Sequence, residues 1–333
     1  MQRRYFITLS SGAAAAWALA ARAQQATKMP RIAFLSPGRS ERSDPIFNML
    51  TALLQRLHDL GYTEGQNLAI EQRFADGRSD RLPEMAAELV GHKPDLIVAF
   101  STTAARPAKQ TAGTIPVIAV GMADPVADGL IASRARPGGN VTGTTFLSPG
   151  LAAKRLQLLG EVVPRLSRVA VLSHPNAYSE PTMAELSNEM EVAARTLGLQ
   201  LQIVPAFSPE DVVSAFAAMA REGAGALIVM PSPILFGEYK RIASLALNGR
   251  LPAMGAAREF ADLGGLMSYG VNQVDLARQT ATFVDKILKG ATPAELPVEQ
   301  PNNFELVINL KTARELGLTI SREFLLIADD LVE

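Results

Sequence analysis

The chain has 333 residues, with 32 Lys and Arg against 33 Asp and Glu, 48% apolar residues and no Cys. Zero cysteine excludes disulfides and thiolate chemistry, and the lack of a basic excess argues against nucleic acid or anionic lipid as the main partner. The length is enough for two ordinary domains, each with its own core.

Residues 1–23 have the parts of a cleavable export signal. Arg3 and Arg4 give a positive start, residues 6–21 form an uncharged run, and Ala21-Arg22-Ala23 supplies the small-x-small pattern that a signal peptidase reads. The run is rich in Ala, Gly and Ser and is short for a membrane span of about 20 strongly apolar residues. Paired arginines ahead of Tyr5-Phe6-Ile7, with Arg22 beside the cleavage point, favour the twin-arginine export route, with the ordinary secretory route as the alternative. No Cys follows, so no lipid anchor is expected. Cleavage removes three Arg and no acid, leaving 29 basic against 33 acidic residues and a net charge of about −4. The expected location is the periplasm.

Beyond the signal, apolar runs alternate with amphipathic stretches. Residues 32–35 read as a strand, followed by a helix whose positions Ile46, Met49, Leu50, Leu53, Leu54, Leu57 and Leu60 keep the i, i+3, i+4, i+7 spacing, with Gly61 as its stop. A more exposed strand over 68–74, a helix over 82–90, a buried run at 96–100, a helix over 103–111 and a buried run at 115–120 come next. Continuous apolar runs separated by helices predict parallel strands covered on both faces. The rhythm breaks at Pro137-Gly138-Gly139-Asn140. After an extended segment at 141–146 and a helix over 150–163, a second series begins: strands at 169–172, 199–204, 226–230 and 252–254, with helices over 180–197, 209–221 and 237–248. An extended stretch at 264–271, a helix over 273–289 and a late strand at 304–308 complete the chain.

The expected architecture is α/β, with two Rossmann-like lobes of parallel strands joined by a multi-strand hinge. Residues 30–145 and about 270–333 are assigned to the first lobe, and 146–269 to the second. Asp329-Asp330 reads as solvated tail.

In open parallel sheets, ligands bind beyond the carboxyl ends of the strands. The residues there are small and hydroxylated, with Asp124, His174 and Asn176 among them. Ser101, Thr102 and Thr103 end a buried run and open a helix, where free N–H groups and the helix dipole favour a carboxylate or phosphate; N-capping is the plainer role. Asp124 precedes Pro125, which suits either a helix cap or a partner for a ligand ammonium. His174, with Asn176 and Tyr178 after it, is either a loop hydrogen-bonder or a base. Tyr269 either stacks on a ligand ring or packs in the hinge. No G-x-S-x-G, P-loop, G-x-G-x-x-G or H-E-x-x-H pattern occurs, and the three His are far apart. A binding module fits better than an enzyme, and no cofactor or metal is expected.

Several long strings carry a more specific signal. They are the start Met1-Gln2-Arg3-Arg4, the loop Asp124-Pro125-Val126 before Gly129, the block Gly138-Gly139-Asn140-Val141-Thr142-Gly143, the stretch Gly264-Gly265-Leu266-Met267-Ser268-Tyr269-Gly270, and the tail with Leu296-Pro297-Val298-Glu299-Gln300-Pro301 and Phe304-Glu305-Leu306-Val307-Ile308-Asn309. Through them the whole chain resembles the ABC transporter substrate-binding proteins of the periplasmic binding protein type I fold, in the group that includes tryptophan- and tyrosine-binding proteins. The resemblance implies a monomeric two-lobed clamp that captures a small polar, amino-acid-like or aromatic solute for an ABC permease in the inner membrane. The ligand-binding candidates it supports are Ser36, Ser101, Thr102, Asp124, Asn176, Tyr178, Ser232 and Tyr269. His174-Pro175-Asn176-Ala177-Tyr178 departs from the family's usual Asn-Pro loop, and Ser321 stands where a Pro is usual. A ligand-sensing subunit of a signalling receptor and a periplasmic enzyme using His174 or a hydroxyl nucleophile are the rival expectations.

Overall fold

The computed structural model describes residues 29–41, 44–146 and 150–333; the export signal expected at residues 1–23 lies outside the described residues. The first βα series runs β1 (Arg31–Ser36), α1 (Pro45–Asp59), β2 (Ala69–Phe74), α2 (Leu82–Gly91), β3 (Leu96–Phe100), α3 (Ser101–Ala112), β4 (Val117–Met122) and β5 (Val141–Thr145). Its five strands form one sheet in the order β2-β1-β3-β4-β5, every pair parallel. β3 and β4 are buried along their whole length and sit centrally, as uninterrupted apolar runs require. α1 starts because Asp44 accepts the Ile46 N–H at 2.8 Å and Pro45 occupies its first turn. Just beyond it, Gly61 takes a φ of +93° that a side chain would resist.

The second series contains α4 (Leu151–Val162), β6 (Arg168–Ser173), α5 (Glu180–Leu197), β7 (Gln200–Pro205), α6 (Asp211–Arg221), β8 (Ala226–Val229), α7 (Pro233–Gly237), α8 (Tyr239–Asn248), β9 (Ala253–Gly255), α9 (Glu259–Asp262) and β10 (Met267–Val271). The chain then continues through α10 (Gln273–Leu288), β11 (Phe304–Asn309), α11 (Leu310–Glu315), α12 (Arg322–Leu325) and β12 (Asp330–Val332). Seven strands form the second sheet in the order β12-β11-β10-β9-β8-β6-β7, parallel except for the β10–β11 pair. Each sheet has an apolar cluster on either face.

The tail divides between the lobes, which corrects the assignment of all of 270–333 to the first. α10 does pack there, placing Leu276, Phe283, Val284 and Ile287 in a core with α1 and β3. Residues 296–299 follow it: Thr142 donates to the Leu296 carbonyl at 2.7 Å, and Glu299 lies beside Thr144 of β5. β11 and β12, however, extend the second sheet. The apolar pattern of β11 identifies a strand but not its partner, which is β10 in antiparallel register. The chain therefore crosses between lobes three times, after β5, after β10 and after residue 299. Asp329-Asp330 is likewise more than solvated tail: Asp329 accepts the Leu306 N–H at 2.7 Å, and Asp330 pairs with Arg258.

Candidate functional site

Where the two lobes face each other, a cleft is lined by residues of both. The first lobe contributes Ile46 and Met49 of α1, Phe100 at the end of β3, Ser101, Thr102 and Thr103 at the start of α3, Val120 and Gly121 of β4, and Ala123. The second contributes Ala177, Tyr178, Pro231, Ser232, Pro233 and Phe236, while Phe146 and Gln273 come from two of the crossings. The walls are chiefly apolar and aromatic. The wall chemistry suits a small organic molecule.

The polar groups concentrate at the α3 N-terminus. α3 opens after Phe100 with no side-chain cap, so the capping role considered for this Ser-Thr-Thr run is not the one it plays. The Ser101 Oγ and Thr103 Oγ1 are enclosed and without a partner. Ser101 also holds φ at +70°, a left-handed conformation unusual for a non-glycine residue. Thr102, only 2% exposed, accepts the Ala123 N–H at 3.0 Å and so ties the β4 loop to α3. From the other lobe, buried Ser232 caps α7 by accepting the Leu235 N–H at 3.2 Å. Tyr178 is buried, its hydroxyl donates to the Pro231 carbonyl, and its pKa is pushed up by burial.

Of the eight residues expected from the sequence, Ser101, Thr102, Tyr178 and Ser232 line this cleft together. The other four do not. Ser36 is buried and accepts the Gly38 N–H at 3.1 Å. Asp124 uses Oδ1 to accept the Val126 and Ala127 N–H groups at 3.0 and 3.1 Å, the cap that its position before Pro125 suggested. Asn176 is exposed, and the Tyr269 ring packs on Phe304 with 6.4 Å between centroids. The wall residues Phe100, Phe146, Phe236 and Met49 escape a search for polar groups, although Phe100 immediately precedes Ser101 and a reading of apolar strand ends would have found it; Gln273 is polar but opens a helix away from the strand-end loops.

Neither a base nor a metal centre emerges at the cleft. His174 is buried with its Nδ1 unpartnered, and burial pushes its pKa down, so the ring is neutral near pH 7; it does not line the cleft. Among the described residues, Glu71, Glu88 and His92 converge elsewhere, but Arg73 bonds both carboxylates at 2.8 and 2.6 Å. That is a surface ion-pair network.

The sequence profile of the family described as ABC transporter substrate binding protein matches residues 43–332, nearly all of the folded chain. The chain belongs to this family. The Tyrosine-binding protein of Clostridioides difficile (strain R20291) is 25% identical over 272 residues, covering 80% of this chain and 75% of that protein. A conserved domain protein from Vibrio cholerae superposes with a TM-score of 0.84 at 27% identity, covering 91% of this substrate-binding protein and all of that chain. The ABC domain from Streptococcus pneumonia in complex with L-Trp gives 0.83 at 25% identity, over 91% and 99% of the two chains. The two-lobed plan with its crossed-over strands is the periplasmic binding protein type I fold. The family consists of substrate-binding proteins rather than enzymes.

Proposed function

We propose that this substrate-binding protein is the solute-capturing subunit of an ABC importer, working outside the cytoplasm as a monomer and delivering a small aromatic solute to an inner-membrane permease. Residues 30–145 with 273–299 act as one jaw, and 146–272 with 304–333 as the other. The observation that carries this reading is the cleft itself: both lobes supply its aromatic walls, so closure removes the solute from water. Ser101, Thr102, Tyr178 and Ser232 contact the solute. Names of relatives that bind tyrosine or tryptophan support an aromatic occupant, and the signal at residues 1–23 supports export, by the twin-arginine route.

Native mass spectrometry of gently purified protein, followed by a thermal-shift screen of amino acids, purines and aromatic acids, tests the reading. A bound solute at 100 times its Kd adds about 2.7 kcal/mol to stability, a shift well above detection. If no small solute in the screen raises the melting temperature and none copurifies, the clamp reading fails.

A further inference from the structure

The polar side chains of the cleft are hydroxyls and one amide, all of them able to donate. Thr102 and Ser232, each 2% exposed and one from each lobe, accept a backbone N–H but donate to no acceptor among the described residues. Ser101 and Thr103 add two enclosed hydroxyls with no partner among the described residues. The uncapped first turn of α3 adds backbone N–H groups and the positive end of its dipole. A hydroxyl can rotate to donate, so the three hydroxyls that open α3, with Ser232 in the opposite wall, can serve an acceptor-rich, negative group.

What an ammonium would need is missing. No lining residue is a carboxylate, and the undescribed residues 1–28, 42–43 and 147–149 contain no Asp or Glu. Asp124 is occupied in capping and does not line the cleft. Asp128 uses Oδ1 to accept from Arg106 at 3.1 Å and from the Ser179 N–H at 3.3 Å; its Oδ2 is enclosed without a partner among the described residues, and the side chain lies outside the lining. Tyr178 has already given its proton to the Pro231 carbonyl. The acceptor side chains left in the wall, the hydroxyls and the Gln273 amide, are all neutral. Closing an aromatic cleft on an unpaired ammonium costs its hydration without a replacement.

We infer that the cleft selects an aromatic monocarboxylate without an α-ammonium, held with its ring among Phe100, Phe146 and Phe236 and its carboxylate at Ser101–Thr103. The inference rests on the solute-capture reading and narrows it: the occupant differs in charge from the amino acids named for the relatives.

Isothermal titration of the purified protein with three probes of one ring, indole-3-acetate, L-tryptophan and tryptamine, tests it. Indole-3-acetate is expected to bind at least about tenfold more tightly than L-tryptophan, with tryptamine undetectable. The pair 3-(4-hydroxyphenyl)propionate and L-tyrosine repeats the comparison with a single ring. The near-isosteric Gln273→Glu supplies the absent carboxylate and is expected to shift the ratio at least about tenfold toward L-tryptophan. Ser101→Gly removes a hydroxyl and relieves the positive φ, and is expected to weaken indole-3-acetate by about tenfold while leaving uncharged indole unchanged. Tighter binding of L-tryptophan than of indole-3-acetate, or a ratio unmoved by Gln273→Glu, overturns the inference and leaves the clamp standing. If neither acid binds but purines or other solutes do, the inference again fails alone. If nothing in the wider screen binds, both readings fail.

Discussion

Arg39 of the first lobe and Glu238 of the second meet across the cleft mouth with a guanidinium nitrogen 2.8 Å from a carboxylate oxygen, and Arg39 also donates to the neighbouring Gly237 carbonyl at 3.0 Å. Glu238 is nearly enclosed, with 7% of its side chain exposed. The pair joins the two lobes, so the proposed opening of the clamp would part it. Arg39→Ala is therefore expected to leave the melting temperature of the ligand-free protein nearly unchanged and to weaken solute affinity by about 1–2 kcal/mol. Calorimetry and small-angle scattering check this, and an unchanged affinity would remove Arg39 from the closing contacts.

Asp128 bridges the jaws elsewhere along the cleft. Its side chain is fully enclosed, and one oxygen faces Arg106 of its own lobe together with the Ser179 N–H and Thr182 hydroxyl of the other, at 3.1, 3.3 and 3.4 Å. Asp128→Ala deletes an acceptor shared by both lobes, so solute dissociation is expected to accelerate by roughly tenfold or more, with a smaller change in association. Stopped-flow release of bound solute measures this. A change confined to the association rate would contradict the assignment.

Gly143, in the Gly-Gly-Asn-Val-Thr-Gly block, holds φ at +138°, and a Cβ there would stand 2.0 Å from the Ala119 carbonyl oxygen. β4 and β5 pair on both sides of this point, with a register shift just beyond it. Gly143→Ala must push the strands apart, and a loss of at least about 3 kcal/mol is expected. Urea unfolding of the variant would show it as a lower midpoint, or as failure to accumulate folded protein.

Burial lifts the Glu259 carboxyl to about 7, and its Oε2 is enclosed without a partner. A carboxyl whose folded pKa is raised is protonated in the native state while already ionised in the unfolded chain. Its contribution is present below the unfolded value near 4.5 and is lost as pH climbs through about 7. Glu259→Gln is expected to flatten the decline in stability between those pH values and to stabilise the protein at pH 8 by up to about 3 kcal/mol. Melting curves at pH 5, 6, 7 and 8 suffice, and parallel curves for both proteins would refute the assignment.

Arg155 is 3% exposed and donates to the Tyr269 carbonyl at 2.8 Å, with burial lowering its pKa. Arg155→Ala is expected to cost about 3 kcal/mol, through the cavity left beneath β10 and a carbonyl that loses its donor. Denaturant unfolding reads this directly.

Much of this architecture is legible in the linear chain. Periodicity places β3, β4, β6 and β8 and the helices around them, because each is long enough to bury a whole face or stripe. α7 and α8 are harder, since a single stretch over 237–248 hides the short turn after Ser232. The destination of β11 is not local information at all, as Phe304–Asn309 would read the same at the edge of either sheet. At the cleft, the hydroxyls of Ser101, Thr102 and Ser232 are visible as strand-end residues. Asp124 is not resolved by sequence, because a capping acid and a ligand-binding acid look alike before Pro125. The aromatic wall is assembled from Phe100, Phe146 and Phe236, which lie far apart in the chain and are brought together only by the fold.

The three crossings also bear on how the molecule is made. The first sheet lacks one of its covering helices until α10 emerges from the ribosome, after most of the second lobe has been synthesised. The second sheet gains β11 and β12 only from the final thirty or so residues. Neither jaw can finish folding first and wait for the other. A growing chain therefore holds two incomplete cores until synthesis is nearly over.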